Sequence, residues 1–209
     1  MQTSATLDYG GLAPNGLIAN LLVTVESLAG LLSFGLVSGL MFARFVRPVA
    51  RVLYSDVAVV APYRDISAFK LRLINQRTTE ISDLAIRVIL VRRQKDGEGR
   101  EYIELELERS KVAFFPLAWT VVHPTEEGSP LLGLASEALR ECEAEFLILL
   151  QGFDETFSQV VHSRPSYRAE EVVFGARFVN MFDQAAAEHG DISVDVALLH
   201  DVERAALPL

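Results

Sequence analysis

No lysine or arginine precedes Arg44, the chain holds a single cysteine, and its four histidines share no short spacing. Each shortage closes a class of function. The lone thiol of Cys142 cannot form an intrachain disulfide, which agrees with a reducing compartment and removes any cysteine-rich metal centre. His123, His162, His189 and His200 are too scattered to read as a ligand set, so no side-chain metal site is expected. No glycine-rich loop is placed to cradle a phosphate, and Ser163 lacks the glycine-flanked turn of a hydrolase nucleophile. Asp154 and Glu155 beside His162 come nearest to an acid–base pair. Adjacent strand residues point to opposite faces, so the two carboxylates should not converge, and a solvated loop or subunit contact is expected instead. Neither an enzyme nor a cofactor is indicated. With a net charge of −9, the chain is a poor partner for nucleic acid and a better one for cations.

What is present first is a hydrophobic run. Leu17 to Ala43 is almost wholly apolar, and as a helix it reaches roughly 40 Å at about 1.5 Å per residue, enough to cross a ~30 Å hydrocarbon layer with some tilt. All the basic residues follow it, beginning with Arg44, Arg47 and Arg51, which predicts a cytoplasmic C-terminal side. A cleaved signal peptide would carry its positive charge ahead of a shorter apolar core and end at a small-residue site. A buried helix of a soluble fold is the other reading, because Asn20, Thr24, Glu26, Ser27, Ser33 and Ser38 interrupt the run. Against it, Asn20, Thr24, Ser27 and Ser38 can share one stripe, with Gly30, Gly35 and Gly39 in the same helix, as in membrane helices that pack closely or line water. Glu26 is costly in lipid and reads as facing protein or an aqueous path.

After the run come about 165 residues, one domain's worth. Its charge is −7, since Asp8 and Glu26 are the only charges before Arg44. Strands are expected at Val57–Val60, Phe69–Asn75, Ala85–Val91, Glu101–Leu107, Val121–His123, Phe146–Leu150, Thr156–His162 and Val172–Phe178. The clearest alternation sets Ile103, Leu105 and Leu107 against Glu104, Glu106 and Glu108. Breakers fall at Tyr63-Arg64-Asp65, Asp96 to Gly99, Pro124 to Gly128 and Gly152-Phe153-Asp154. Short strands at this spacing predict an antiparallel sandwich of immunoglobulin-like architecture, with one helix at about Ala135 to Cys142. A further strand candidate lies at Ile192–Leu198, in a last stretch from Asp183 to Leu209 whose role the sequence leaves open. The fold class expected is one transmembrane helix followed by an all-β sandwich, divided as 1–16, 17–46 and 47–209.

The order of features carries a resemblance. Phe42-Ala43-Arg44-Phe45-Val46-Arg47-Pro48 leaves the helix, followed by Ser55-Asp56-Val57-Ala58-Val59, Leu73-Ile74-Asn75-Gln76-Arg77, Pro116-Leu117-Ala118-Trp119-Thr120, His123, Ser129-Pro130-Leu131, Asp154-Glu155-Thr156 and Ser163-Arg164-Pro165-Ser166-Tyr167. In that order they closely resemble the prokaryotic inward-rectifier potassium channels over nearly the whole chain. The resemblance implies a homotetramer that passes K⁺, with potassium as permeant ion and no cofactor. It implies that the chain holds the end of the pore loop, the inner helix and the complete cytoplasmic domain, without the slide helix, first membrane helix and pore helix.

The same resemblance assigns roles. Thr6-Leu7-Asp8-Tyr9-Gly10 stands where a Thr-Val-Gly-Tyr-Gly selectivity filter binds K⁺ through its carbonyls. Asp8 departs from the glycine expected there; Asp tolerates a left-handed backbone at modest cost, but four copies would bring four carboxylates near the axis. Phe34 occupies the pore-lining position where a carboxylate in other members binds polyamines or Mg²⁺, so strong voltage-dependent rectification is not expected. Phe42 resembles the gate at the bundle crossing, where four rings could close the path by dewetting; a lipid-facing aromatic is its alternative. Gly30 and Gly39 resemble hinge positions, with close packing as the other account. Arg44, Arg47 and Arg51 stand where the resemblance implies that anionic, phosphoinositide-like headgroups meet the helix, although orientation alone also explains them. The membrane implied is the bacterial inner membrane, with the C-terminal domain cytoplasmic. The rival expectation is a non-conducting single-span protein whose sandwich is an assembly or sensor module, supported by Asp8 and by the missing outer helix.

Overall fold

The computed structural model describes residues 16–45, 52–76, 81–94, 99–115, 117–156, 158–182 and 193–208. The chain divides into two compact units, residues 1–48 and 49–209. In the first, a single helix α1 runs from Leu17–Phe45. Its 29 residues are dominated by Leu, Val and Ala, with no proline to break them, and Arg44 lies in the last turn, where a cation complements the helix dipole. Over Leu17–Arg44 the helix is long and apolar enough to cross a membrane.

The second unit is a two-sheet sandwich. In its first sheet, β1 (Val52–Tyr54), β2 (Ala58–Tyr63), β3 (Ile66–Asn75) and β7 (Ala118–Pro124) pair antiparallel around β3. A short strand β11 (Val172–Phe174) joins β2 in parallel, Val172 opposite Ala58. In the second sheet, β4 (Ile81–Arg93) and β8 (Glu145–Asp154) form the centre. β5 (Arg100–Glu104) and β6 (Lys111–Phe114) flank β4, while β9 (Gln159–Ser163) and β10 (Ser166–Arg168) flank β8. A small helix α2 (Ser136–Glu141) lies between β7 and β8. The pair β12 (Ala176–Phe178) and β13 (Val202–Arg204) forms a third, two-stranded sheet.

Alternation fixes which faces meet. Phe69, Leu71 and Leu73 of β3, Ile86, Val88 and Leu90 of β4, and Phe146, Ile148 and Leu150 of β8 are buried in one cluster. The aromatic rings of Phe69 and Phe146 stack at 4.4 Å across the two sheets. Trp119 is in the same cluster.

The immunoglobulin-like sandwich expected from the sequence is therefore the fold, but several elements differ. The alternating run from Glu101 to Leu107 is laddered only as far as Glu104. Beyond that it changes sheets: Leu105 N–H still bonds Val88 of β4, whereas Glu108 N–H bonds Val122 of β7. Val172–Phe178 is two strands, because Gly175 sits between them at φ +66°, a left-handed turn that glycine makes at little cost. Gly152-Phe153-Asp154 does not break the chain; β8 runs through it. A Cβ on Gly152 would stand 2.5 Å from Ile81 Cγ2, so glycine is there to let β4 approach. The strand expected at Ile192–Leu198 is absent from its described part. Asp195 accepts the Ala197 N–H and caps a 3₁₀ turn, Val196–Leu199, and only Val194 makes an isolated bridge, to Phe182.

Candidate functional site

On α1, about 100° per residue puts Asn20, Thr24, Ser27 and Ser38 within roughly 40° of one line, and Phe34 and Phe42 fall within about 40° on either side of it. One face thus carries small polar groups and two large aromatic rings. Thr24 Oγ1 donates to the Asn20 carbonyl at 2.8 Å, which satisfies its hydroxyl within the helix, a common device in membrane helices. Phe34 and Phe42 are 74% and 72% exposed, and the aliphatic residues around the rest of the helix are exposed as well. Such a surface needs lipid or other helices against it. Gly30 and Gly39 lie within continuous helix, and there is open space beside Gly39. Arg44 is exposed at the C-terminal end. Thr6, Leu7, Asp8, Tyr9, Gly10, Arg47 and Arg51 lie outside the described residues.

In the sandwich, the point where the 105–108 segment changes sheets is held by a buried histidine. His123 of β7 is 3% exposed. Its Nδ1 lies 2.6 Å from the Glu106 carbonyl, which only accepts, so Nδ1 carries the proton. Nε2, 2.8 Å from Ser129 Oγ, then accepts the hydroxyl, while Ser129 Oγ takes the Leu131 N–H. Burial pushes the His123 pKa down, with the Glu106 carbonyl opposing it, so the neutral ring is the resident form at pH 7. The imidazole joins β7, the sheet-changing segment and the loop before α2.

Around it opens a cleft of about 480 Å³ lined by Glu104, Glu106, Glu108, Glu126 and Glu127. Two of these carboxylates are partnered: Glu104 bonds Arg87 through both oxygens at 2.6 and 2.7 Å, and Glu108 accepts from Tyr63 and Arg64. The Arg87 guanidinium holds the Glu104 carboxyl below its usual range. Among the described residues, no group of three or more His, Cys, Asp or Glu could hold a metal ion.

A second network ties the beginning of the domain to its end. Tyr167 Oη donates to the Ser55 carbonyl at 2.7 Å, Ser55 N–H donates to the Arg72 carbonyl, and Arg72 N–H donates to Ser55 Oγ. The Arg72 guanidinium donates to the Val179 carbonyl at 2.8 Å and lies over the Phe178 ring. Burial pushes Tyr54 and Tyr167 up to about 12, so both hydroxyls stay protonated. Sequence reading missed these partners, because Ser55 and Tyr167 are 112 positions apart and no local pattern links them.

Asp154 also differs from expectation. It is fully buried, not solvated, and its Oδ1 takes the Thr156 N–H at the end of β8. His162 pairs across the sheet with Gln151, while Asp154 pairs with Gln159, so the register sets His162 and Asp154 apart.

A helix long and apolar enough to cross a membrane, with one polar and aromatic stripe, precedes a two-sheet sandwich in the chain, a combination that points to the class of membrane proteins carrying an extramembranous β domain. The family described as inward rectifier potassium channel C-terminal domain matches residues 52–209. The chain is 38% identical over 205 residues to inward rectifier potassium channel Kirbac3.1 of Paramagnetospirillum magnetotacticum, covering 97% of this chain and 69% of that one. It is 28% identical over 193 residues to the human inward rectifier potassium channel 18, covering 85% of this chain and 44% of that one, and 27% identical to the human inward rectifier potassium channel 4. The chain belongs to the inward-rectifier potassium channel family, and its sandwich is the C-terminal domain described for that family. It spans less than half the length of these human relatives.

Proposed function

We propose that the chain is a subunit of a passive potassium pathway, assembled as a homotetramer in the bacterial inner membrane. The observation that carries this is the α1 stripe. Four copies facing one axis would line a path with Asn20, Thr24, Ser27 and Ser38, with rings of Phe34 and Phe42 as its narrowest apolar points. Phe42 is the gate, Gly30 and Gly39 are the points at which the helix bends, and Phe34 leaves the path without the carboxylate that would retain polyamines. Residues 1–16, 17–46 and 47–209 divide the work between filter, inner helix and cytoplasmic domain. The carbonyls of Thr6, Leu7, Asp8, Tyr9 and Gly10 coordinate K⁺, and Asp8 alters the field there. Arg44, Arg47 and Arg51 engage anionic, phosphoinositide-like headgroups at the membrane surface.

Radioactive rubidium uptake into anionic proteoliposomes tests the proposal. Uptake should follow the potassium gradient, rise when Phe42→Ala removes the gate ring, and become sensitive to added spermine in Phe34→Asp. A protein shown to be tetrameric that passes no rubidium, alone or with Phe42→Ala, would overturn conduction and leave the sandwich as an assembly or sensor module.

A further inference from the structure

His200 presents a single atom to two opposite partners. Its Nδ1 lies 3.1 Å from the backbone nitrogen of Asp56 and 3.2 Å from Oδ2 of the same residue. The amide can only donate, so it requires an unprotonated Nδ1; the carboxylate can only accept, so it requires a protonated one. Both cannot be satisfied at once. We propose that His200 and Asp56 form a proton-operated clasp: the neutral ring holds the Asp56 amide, and the protonated ring releases it and binds the Asp56 carboxylate.

The surroundings leave this choice to the pair itself. Asp56 is the carboxylate within ion-pair distance of His200 among the described residues. Asp195, at the head of the 3₁₀ turn before His200, spends Oδ1 on the Ala197 N–H. Asp201 follows His200, and its carbonyl takes the Val179 N–H. On β3, the Arg72 guanidinium is bound to the Val179 carbonyl, and on β12 and β13, Arg177 and Glu203 pair with each other at 2.7 Å. On β1, Tyr54 is held protonated up to about 12. His200 and Asp56 are both solvent-accessible, 42% and 79% in their side chains, so a proton reaches the ring without unfolding.

The position of the clasp gives it a consequence. Asp56 lies in the turn between β1 and β2, next to Ser55, whose backbone is held by Tyr167 and Arg72. β1 is the first described strand after α1 in the chain, and His200 belongs to the C-terminal segment. Protonation therefore changes how the end of the chain grips the turn that follows the first strand. The clasp stands whether or not the chain conducts.

Hydrogen–deuterium exchange of the full-length protein in detergent, read at the peptide holding Asp56 and corrected for intrinsic rates, tests it between pH 8 and pH 5, the range an imidazole spans. Loss of the bond to the amide should raise exchange of that peptide by about threefold or more toward pH 5. In His200→Gln the side-chain oxygen accepts from the amide at every pH, so the dependence should vanish while protection remains. In Asp56→Asn the backbone amide at this position still donates to the neutral ring, so protection at pH 8 should remain although the protonated ring has no carboxylate to bind. Trp119 fluorescence verifies that each variant is folded. A pH-independent wild type, or a His200→Gln protein that keeps the wild-type profile, overturns the proposal.

Discussion

A methyl group on Gly152 measures how closely the second sheet is packed. Gly152 lies inside β8, opposite Val161 of β9, and a Cβ there would stand 2.5 Å from Ile81 Cγ2 and 2.7 Å from Leu84 Cδ1. Ordinary carbon contacts need about 3.5–4.0 Å, so each overlap is about 1 Å. Neither neighbour has room to retreat: Ile81 is 0% and Leu84 1% exposed, and the β4 register shifts between Ser82 and Ala85, where Asp83 adopts φ 48°. Overpacking of this kind costs about 1–3 kcal/mol. At about 2–4 °C per kcal/mol for a domain of this size, Gly152→Ala should lower the melting midpoint by roughly 2–12 °C. Trp119 is the single tryptophan and is buried in the sandwich core, so its fluorescence follows this domain during thermal denaturation in detergent. Leu84→Ala alone opens a cavity and costs about 2–5 kcal/mol, but it also removes one clashing methyl, so the double variant should lose less than the two singles combined. An unchanged midpoint for Gly152→Ala, or simple additivity in the double variant, would refute the close approach.

Replacing His123 by Leu leaves the Glu106 carbonyl and the Ser129 hydroxyl without their shared partner and should cost about 1–3 kcal/mol at pH 7.5. Because burial lowers the folded pKa of His123, the unfolded chain binds the proton more readily; stability from the neutral ring is present above pH 6.5 and is lost as pH falls below it. The gap between wild type and His123→Leu should therefore narrow from pH 7.5 to 5.5, and a constant gap in denaturation midpoints would count against it. Tyr167→Phe removes the donor to the buried Ser55 carbonyl and should lower stability by about 1–3 kcal/mol, checked by the same Trp119 transition. Arg44→Gln with Arg47→Gln removes two charges worth about 1 kcal/mol each at an anionic surface, so the dependence of rubidium flux on anionic lipid should weaken with an unchanged Trp119 transition. An unaltered lipid response would remove these residues from that role.

Much of this protein could be read from its sequence because the relevant signals are local. The run from Leu17, bounded by Arg44, needed only hydropathy and charge to be placed, and the stripe of Asn20, Thr24, Ser27 and Ser38 needed only the helical repeat. The middle parts of the long central strands, Ala85–Val91 of β4 and Phe146–Leu150 of β8, were equally plain, since both strands bury alternate residues there. Short strands escaped notice: Val52–Tyr54, Lys111–Phe114, Ser166–Arg168 and Val202–Arg204 are too brief to show a period, and distant partners define them. Gly152 was misread because glycine in a sequence marks either a turn or a close approach, and only Ile81 and Leu84 distinguish the two. The His123 clamp and the His200 pair were invisible for a related reason, as each depends on a backbone group whose position the fold supplies.

The strands that finish the sandwich come from the end of the chain. β11 must return to β2 across more than a hundred residues, and β12 finds its partner only at Val202–Arg204. During synthesis, α1 leaves the ribosome before the sandwich does and is available to the membrane while the first sheet still has an open edge at β2. Contacts of such sequence separation form slowly, and an exposed strand edge invites pairing with another chain. The nascent chain is thus vulnerable to mispairing at β2 until Val172–Phe174 has left the ribosome, and truncation before β11 should be felt as poor biogenesis.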